Sequence, residues 1–265
     1  MSELSAALLG LIQGLTEFLP VSSSGHLALA GRLVDVPEQG MFFEVLLHVA
    51  TLVAVVFYYR KDVAEIVRSL PTLAASPSTA WRSEGPARLA VLIVVATVPT
   101  GVVGITLKDF FEGFKAHPSW VGGALWVTAA LLLAARGRGG GAGRDLSVSG
   151  ALLIGFAQSL AITPGISRSG ATIALALLLG LSAARAARFS FLLSIPAISG
   201  AMVLQLRGGL PDELPWVAAS IGFGVSLVSG YFALRLLVVL VERQRFVLFA
   251  PYCAVLGTAA ILWWP

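Results

Sequence analysis

Apolar runs alternate with short polar loops along almost the whole chain. Six runs are long enough to cross a bilayer: 41–59, 87–107, 119–135, 189–206, 216–241 and 246–264. A spanning helix needs about 20 mostly apolar residues. Two other apolar stretches are interrupted by polar chemistry, and they resemble each other. GLIQGLTEFLPVSSSGHLAL occupies 10–29 and GFAQSLAITPGISRSGATIA occupies 155–174. Laid together without a gap, Gly10 falls on Gly155, Gln13 on Gln158, Leu15 on Leu160, Ser22 on Ser167, Ser24 on Ser169 and Gly25 on Gly170. Each copy runs apolar, passes a proline and a Ser-x-Ser-Gly core, and runs apolar again. The pattern predicts a broken helix pair in each copy. The likeness continues weakly into the next run, where Phe43, Leu46 and Leu47 fall on Phe189, Leu192 and Leu193.

Charge between the runs is uneven. Residues 60–88 carry Arg60, Lys61, Arg68, Arg82 and Arg88, and are read as a loop. The glycine-rich segment RGRGGGAGR over 136–144 and the segment 242–245 are also basic, whereas 108–118 and 207–215 are mixed or acidic. The excess of Lys and Arg marks the first group as cytoplasmic. The run 41–59 then passes from outside to inside, and both chain termini lie outside. The second copy is flanked by 136–144 and by Arg185 and Arg188, so it enters from the inside, opposite to the first. The expected fold is an all-α integral membrane protein with six transmembrane helices plus two re-entrant helical hairpins, arranged as an inverted-topology repeat. The first repeat covers 1–136, a linker covers 137–144, and the second repeat covers 145–265.

Composition agrees with a membrane class. Apolar residues make up 57% of the chain and charged residues 12%, with mean hydropathy +0.88; soluble domains carry about 25% charged residues. Residues 1–9 contain Glu3 and lack a basic stretch, so no cleavable signal is expected. The single cysteine, Cys253, excludes an intrachain disulfide and a cysteine-based metal site. The net charge of +4 comes from scattered loop arginines, so no nucleic-acid partner is expected.

Candidate chemistry concentrates in the two copies. Irregular backbone at membrane depth is tolerated only where it is buried in protein or lines a wet cavity. The turns at Pro20 with Ser22–Gly25, and at Pro164 and Gly165 with Ser167–Gly170, should therefore face such a place. Hydroxyls, exposed amides and helix N-termini at these turns suit an anion. Arg168 adds a cation able to hold two phosphate oxygens. Gln13 and Glu17 share one helix face, as do Glu44 and His48, at i, i+4 spacing. A glutamate beside a phosphate requires compensation, which a hard divalent cation would supply. His26, three residues after Ser23, could serve as base, acid or phosphate acceptor. Each of these has a structural reading as well: small residues allow close helix packing, and a lone Glu or His can be a hydrogen-bonded structural group. Arg168, set between two apolar runs, is the hardest to explain as packing.

QGLTEFLPVSSSGHL resembles the (E/Q)-x-x-x-E motif and serine-histidine segment of bacterial undecaprenyl-diphosphate phosphatases, the bacitracin-resistance family. PGISRSGAT resembles that family's second motif, P-G-x-S-R-S-x-x-T. The likeness covers the whole chain in length and repeat arrangement. It implies an enzyme that removes one phosphate from undecaprenyl diphosphate, a polyprenyl lipid, and recycles the carrier for cell-wall synthesis. By position, Gln13 and Glu17 take the place of the acidic motif, and Ser23 and His26 that of the catalytic serine and histidine. Ser167, Arg168, Ser169 and Thr172 take that of the phosphate-holding loop, with Ser22, Ser24, Gly25 and Gly165 beside them. The resemblance further implies Mg²⁺ or Ca²⁺ as cofactor, a plasma-membrane location with a periplasmic site, and a homodimer. The metal candidates are Glu17, with Gln13 and Glu44. Gln13 is the Q variant of the first motif, so one carboxylate is missing from any metal shell. Ser23, His26 and a metal-bound water all remain open as the group that attacks phosphorus.

Two other readings compete. A transporter or flippase would use the same inverted repeat and anion site. A lipid phosphatase with P-S-G-H and S-R-x-x-x-x-x-H segments shares only fragments, since Ala174 stands where its histidine belongs.

Overall fold

Proline and serine punctuate the helices. The computed structural model describes residues 1–33, 41–76, 78, 81, 85–115, 117–140, 143–207 and 215–263, and these form helices joined by turns. Helix α1 (Glu3–Phe18) begins where the Ser2 hydroxyl accepts the Ser5 amide at 3.1 Å. It ends at Leu19, whose extended backbone is what a following proline imposes. Helix α2 (Ser23–Leu33) follows after the turn Leu19–Ser22. Then come α3 (Met41–Tyr58), α4 (Arg60–Ala75), α5 (Pro86–Thr106), α6 (Lys108–Lys115) and α7 (Pro118–Ala134). The later half runs α8 (Val148–Leu160), α9 (Arg168–Leu178), α10 (Ala183–Arg207), α11 (Trp216–Glu242), a 3₁₀ turn at Phe246–Leu248, and α12 (Phe249–Trp263).

Among the described residues, four helices are long and apolar enough to cross a membrane: Pro86–Thr106, Ala183–Arg207, Trp216–Glu242 and Phe246–Trp263. The α3–α4 pair, bent by 83°, makes a fifth if counted as one span. The expected span at 119–135 is an apolar helix of 17 residues, which at 1.5 Å per residue reaches about 25 Å and falls short of the ~30 Å hydrocarbon core. Residues 60–75, read from the sequence as loop, are helical. Apolar Val63, Ile66, Val67 and Leu70 recur there at helical spacing among the charges, and no residue of α4 is buried. An Arg188–Asp62 ion pair ties this helix to α10.

The two halves of the chain exchange partners. From the first half, α1 packs along α11; from the second, α8 packs along α5. Close approach requires glycine at matched positions. A Cβ on Gly10 would strike the Gly222 carbonyl, and one on Gly155 would strike the Ala96 carbonyl. Helix α3 lies against α10 and α11, and α10 against α3 and α5. Phe18, at the end of α1, packs edge-on against Phe191 of α10 with centroids 5.7 Å apart. Ile154, Ile173, Leu192 and Leu193 are fully buried in the same core.

Candidate active site

The turns between α1 and α2 and between α8 and α9 meet at backbone-to-backbone range. A Cβ on Gly25 would lie 3.2 Å from the Gly165 Cα. Each turn caps its following helix in the same way. Ser22 Oγ accepts the Gly25 amide at 3.3 Å, and Ser167 Oγ accepts the Gly170 amide at 3.1 Å. In each, the second serine of the motif stands by the first: Ser22 and Ser24 at 3.4 Å, Ser167 and Ser169 at 3.2 Å. Two bonds cross between the turns. The Gly165 amide donates to Ser22 Oγ at 3.0 Å, and Ser169 Oγ donates to the Leu19 carbonyl at 3.4 Å. Gly165 has φ +102°, a conformation open to glycine, and Ser22 adopts φ +68°, which is strained for any residue with a Cβ.

Glu17 is the hub. Its carboxylate is buried, and four side chains surround it. Arg168 Nη2 donates to Oε1 at 2.8 Å. Ser23 Oγ donates to Oε2 at 2.6 Å and Gln13 Nε2 donates to the same oxygen at 2.9 Å. His48 Nε2 lies 3.4 Å from Oε2. A buried carboxylate is costly unless paired and hydrogen-bonded, and here it is both. The compensation expected from a cation is thus supplied in part by Arg168, 151 residues away in the chain. Two atoms of the cluster are buried and have no partner: Arg168 Nη1, a cationic donor, and Gln13 Oε1, an acceptor.

Not every candidate joins this cluster. His26 bonds elsewhere: Nδ1 to the Ser22 carbonyl at 2.8 Å and Nε2 to the Tyr252 hydroxyl at 2.7 Å. The group that Ser23 touches is the Glu17 carboxylate. Thr172 is fully buried; its Oγ1 donates to the Arg168 carbonyl at 2.8 Å and accepts from Ser190 at 2.6 Å. Glu44 sits on α3, one turn before His48, and its carbonyl accepts from His48 Nδ1 at 2.8 Å.

Three residues at the turns lie outside the set drawn from the motifs. Thr128 of α7 braces the second turn, donating to the Gly165 carbonyl at 2.8 Å and accepting the Ser167 amide at 2.9 Å. It is the lone hydroxyl in the apolar run 121–135, which is the signal that marks it. Tyr252 and Cys253 of α12 brace the first turn, the thiol donating to the Pro20 carbonyl at 3.4 Å. No local pattern marks these two, because their partners lie more than two hundred residues away.

Among the described residues, no three His, Cys, Asp or Glu side chains converge on a metal position. The oxygen donors at hand are the Glu17 carboxylate, the Ser23 hydroxyl and the unpaired Gln13 Oε1. That set fits a small hard cation, which keeps several waters and needs only one or two carboxylates beside substrate phosphates.

Comparison with known sequences gives a consistent result. A sequence profile of the family described as bacitracin resistance protein BacA matches residues 6–259. An undecaprenyl-diphosphatase of Desulfosudis oleivorans is 46% identical over 274 residues, covering 99% of this chain and 98% of the relative. One from Geobacter metallireducens is 42% identical over 270 residues, covering 99% and 98%. One from Methanosphaera stadtmanae is 40% identical over 268 residues, covering 98% and 97%.

Proposed function

This chain belongs to the bacitracin resistance protein family, and from that premise we propose that it is an undecaprenyl-diphosphatase. It is a multi-pass membrane enzyme that hydrolyses undecaprenyl diphosphate to undecaprenyl phosphate and inorganic phosphate. The observation that carries the reading onto these residues is the unpaired half of Arg168. One terminal guanidinium nitrogen holds Glu17, whose other oxygen accepts the Ser23 hydroxyl, while the second terminal nitrogen is buried with no partner. A terminal phosphate oxygen would satisfy that nitrogen and bring phosphorus to Ser23.

The chemistry then follows from the contacts. Ser23 Oγ passes its proton to Glu17 and bonds to the terminal phosphorus. The bond from phosphorus to the bridging oxygen breaks, and undecaprenyl phosphate leaves. Water then attacks the phosphoserine; phosphate is released and the proton on Glu17 returns to Ser23. Arg168 stabilises the charge spread over the phosphoryl oxygens. The amides of Gly25 and Gly170 are taken up by the Ser22 and Ser167 caps and so shape the phosphate-binding turns, with the Ser167 and Ser169 hydroxyls near, and Gln13 holds Glu17 in place. A bound Mg²⁺ or Ca²⁺ would be held by Glu17 and Gln13, with Glu44 as a further candidate, and would neutralise charge on the diphosphate.

The finer topology is part of the same proposal. The α1–α2 and α8–α9 pairs are re-entrant hairpins in two inverted repeats, 1–136 and 145–265, with six spans and a site opening to the periplasm. The partner exchange of α1 with α11 and α8 with α5 supports this, as does the basic character of 136–144. The homodimer is carried by the resemblance alone. Purified protein in proteoliposomes should release phosphate from a polyprenyl diphosphate, and a chelator should slow it. A preparation that binds or translocates the lipid without releasing phosphate would sink the enzyme reading and favour a transporter.

A further inference from the structure

We infer that Tyr252 is a positioning residue for His26, and that α12 thereby latches the reactive turn. The inference rests on the phosphatase reading above, and its argument starts from hydrogen-bond roles. The Ser22 carbonyl can only accept, so the His26 nitrogen 2.8 Å away, Nδ1, carries the ring hydrogen. In the neutral ring, Nε2 is then a bare lone pair. The Tyr252 hydroxyl lies 2.7 Å from it and is the donor. The two rings are parallel within 4°, with centroids 5.7 Å apart. Both nitrogens are thus engaged, one by the turn itself and one by a helix from the far end of the chain.

Each bond alone would leave the ring loose. With only the Ser22 contact, the imidazole could swing about its side-chain torsions or exchange its tautomer. With both, it has one orientation and one tautomer. A second contact from the same helix acts on the same turn. The buried Cys253 thiol, next to Tyr252, donates to the Pro20 carbonyl at 3.4 Å. Neighbouring residues of α12 therefore hold the turn on both sides of Ser22 and Ser23. Ser22 adopts φ +68°, and such a strained conformation persists only where its surroundings over-determine it. The Tyr252 and Cys253 bonds supply part of that constraint. In this view Tyr252 touches neither substrate nor the reacting atoms; it acts through His26.

Tyr252→Phe isolates the effect, because it removes one hydroxyl from a half-exposed side chain and leaves the ring stack. Two measurements on the full-length protein test it. The first is the ¹⁵N spectrum of histidine-labelled protein, which has three histidines, with His26 identified by its loss in His26→Ala. The wild type should show Nε2 of His26 as a single hydrogen-bonded acceptor, and Tyr252→Phe should show a mixture of tautomers. The second is phosphate release, where Tyr252→Phe should lower kcat roughly tenfold with KM unchanged, the size expected for one lost neutral hydrogen bond. An unaltered His26 Nε2 resonance, or an unaltered kcat in a preparation whose wild type turns over, would overturn the inference. Wild-type protein that releases no phosphate defeats the phosphatase reading instead, while the spectrum still reads the contact.

Discussion

The two turns share a scaffold and divide the chemistry. Both end an apolar helix, cap the next one with a serine, and keep a second serine beside the first at nearly equal spacing. Three of the positions at which they differ carry the chemistry. Glu17 falls on Ile162, Ser23 on Arg168, and His26 on Ala171. The first copy carries the carboxylate, the hydroxyl that it grips and the imidazole; the second carries the cation. Each copy holds one full charge, and the two charges bond each other across the interface at 2.8 Å. Two like segments thus bring two helix starts to one place, and under the mechanism proposed above the residues at which they differ bind the anion and attack it. The bracing is exchanged in the same way. Thr128, from the first half, holds the second turn, and Tyr252 and Cys253, from the second half, hold the first.

The largest effect should come from removing the second turn's one charge. Arg168→Ala leaves Glu17 buried without its ion partner, which costs about 3–5 kcal/mol of stability. It also removes the contact to phosphate, so turnover should fall by roughly a hundredfold or more. Arg168→Lys should recover part of the stability and little turnover, because an ammonium cannot hold a carboxylate and a phosphate through a planar fork. Thermal unfolding and phosphate release, measured on the same samples, check both halves. Near-normal turnover in the alanine variant would remove Arg168 from the site and with it the division of labour.

The first turn is tested next, through Glu17→Gln. The carboxylate is at once the partner of Arg168, the base in contact with Ser23 and the candidate metal ligand. The amide keeps the size and loses the charge. Turnover should fall by about a hundredfold, as for a lost general base. If the metal role dominates, high Mg²⁺ or Ca²⁺ should restore part of the rate. A variant that binds metal as the wild type does, yet stays inactive at every concentration, would leave the base role alone standing.

These two residues show what was legible beforehand. A charge inside an apolar run is visible in any sequence, and so is a repeated Ser-x-Ser-Gly, so the meeting of the turns could be expected. That Glu17 and Arg168 bond each other could not, because nothing in either copy encodes which side chain of the other it faces. Taken alone, the glutamate points to a cation and the arginine to a phosphate; only the fold adds that each also holds the other. Helix α4 was hidden for a different reason. Its arginines and Asp62 break the apolar run, so a hydropathy reading ends the element at Tyr59, although Val63, Ile66, Val67 and Leu70 keep a helical period. Tyr252 was hidden by distance alone. Its hydroxyl lies in a late apolar helix, and only the fold brings it to His26.

A comparison within the first turn separates Ser23 from His26. Ser23 Oγ is in contact with Glu17, whereas His26 is held away by Ser22 and Tyr252. Ser23→Ala should therefore lose kcat by about a hundredfold while keeping substrate affinity, and His26→Ala should lose less. Single-turnover phosphate release with a binding measurement distinguishes the two. Full activity in Ser23→Ala with complete loss in His26→Ala would make the histidine the nucleophile and reverse the mechanism proposed above.

The smallest effect probes the backbone, where the matched serines differ although their side chains do the same work. Ser22 sits at φ +68° and Ser167 at φ −72°. Substitution by alanine or glycine removes the capping hydroxyl at either place. At Ser167, glycine should be the better tolerated of the two by less than about 1 kcal/mol, as it is at helix N-caps in general. At Ser22, glycine gains an additional advantage, because an L-residue held in the left-handed region costs about 1 kcal/mol that glycine does not. The gap between alanine and glycine should therefore be wider at position 22 than at 167 by about that amount. The lost Oγ contacts, including the Gly165 amide on Ser22, are common to both variants at a given site and cancel in the difference. Denaturation of the four variants in one detergent measures it. Equal gaps at the two positions would mean that Ser22 is not strained, and that the first turn owes its shape to local preference rather than to the bonds that Gly165, Tyr252 and Cys253 impose on it.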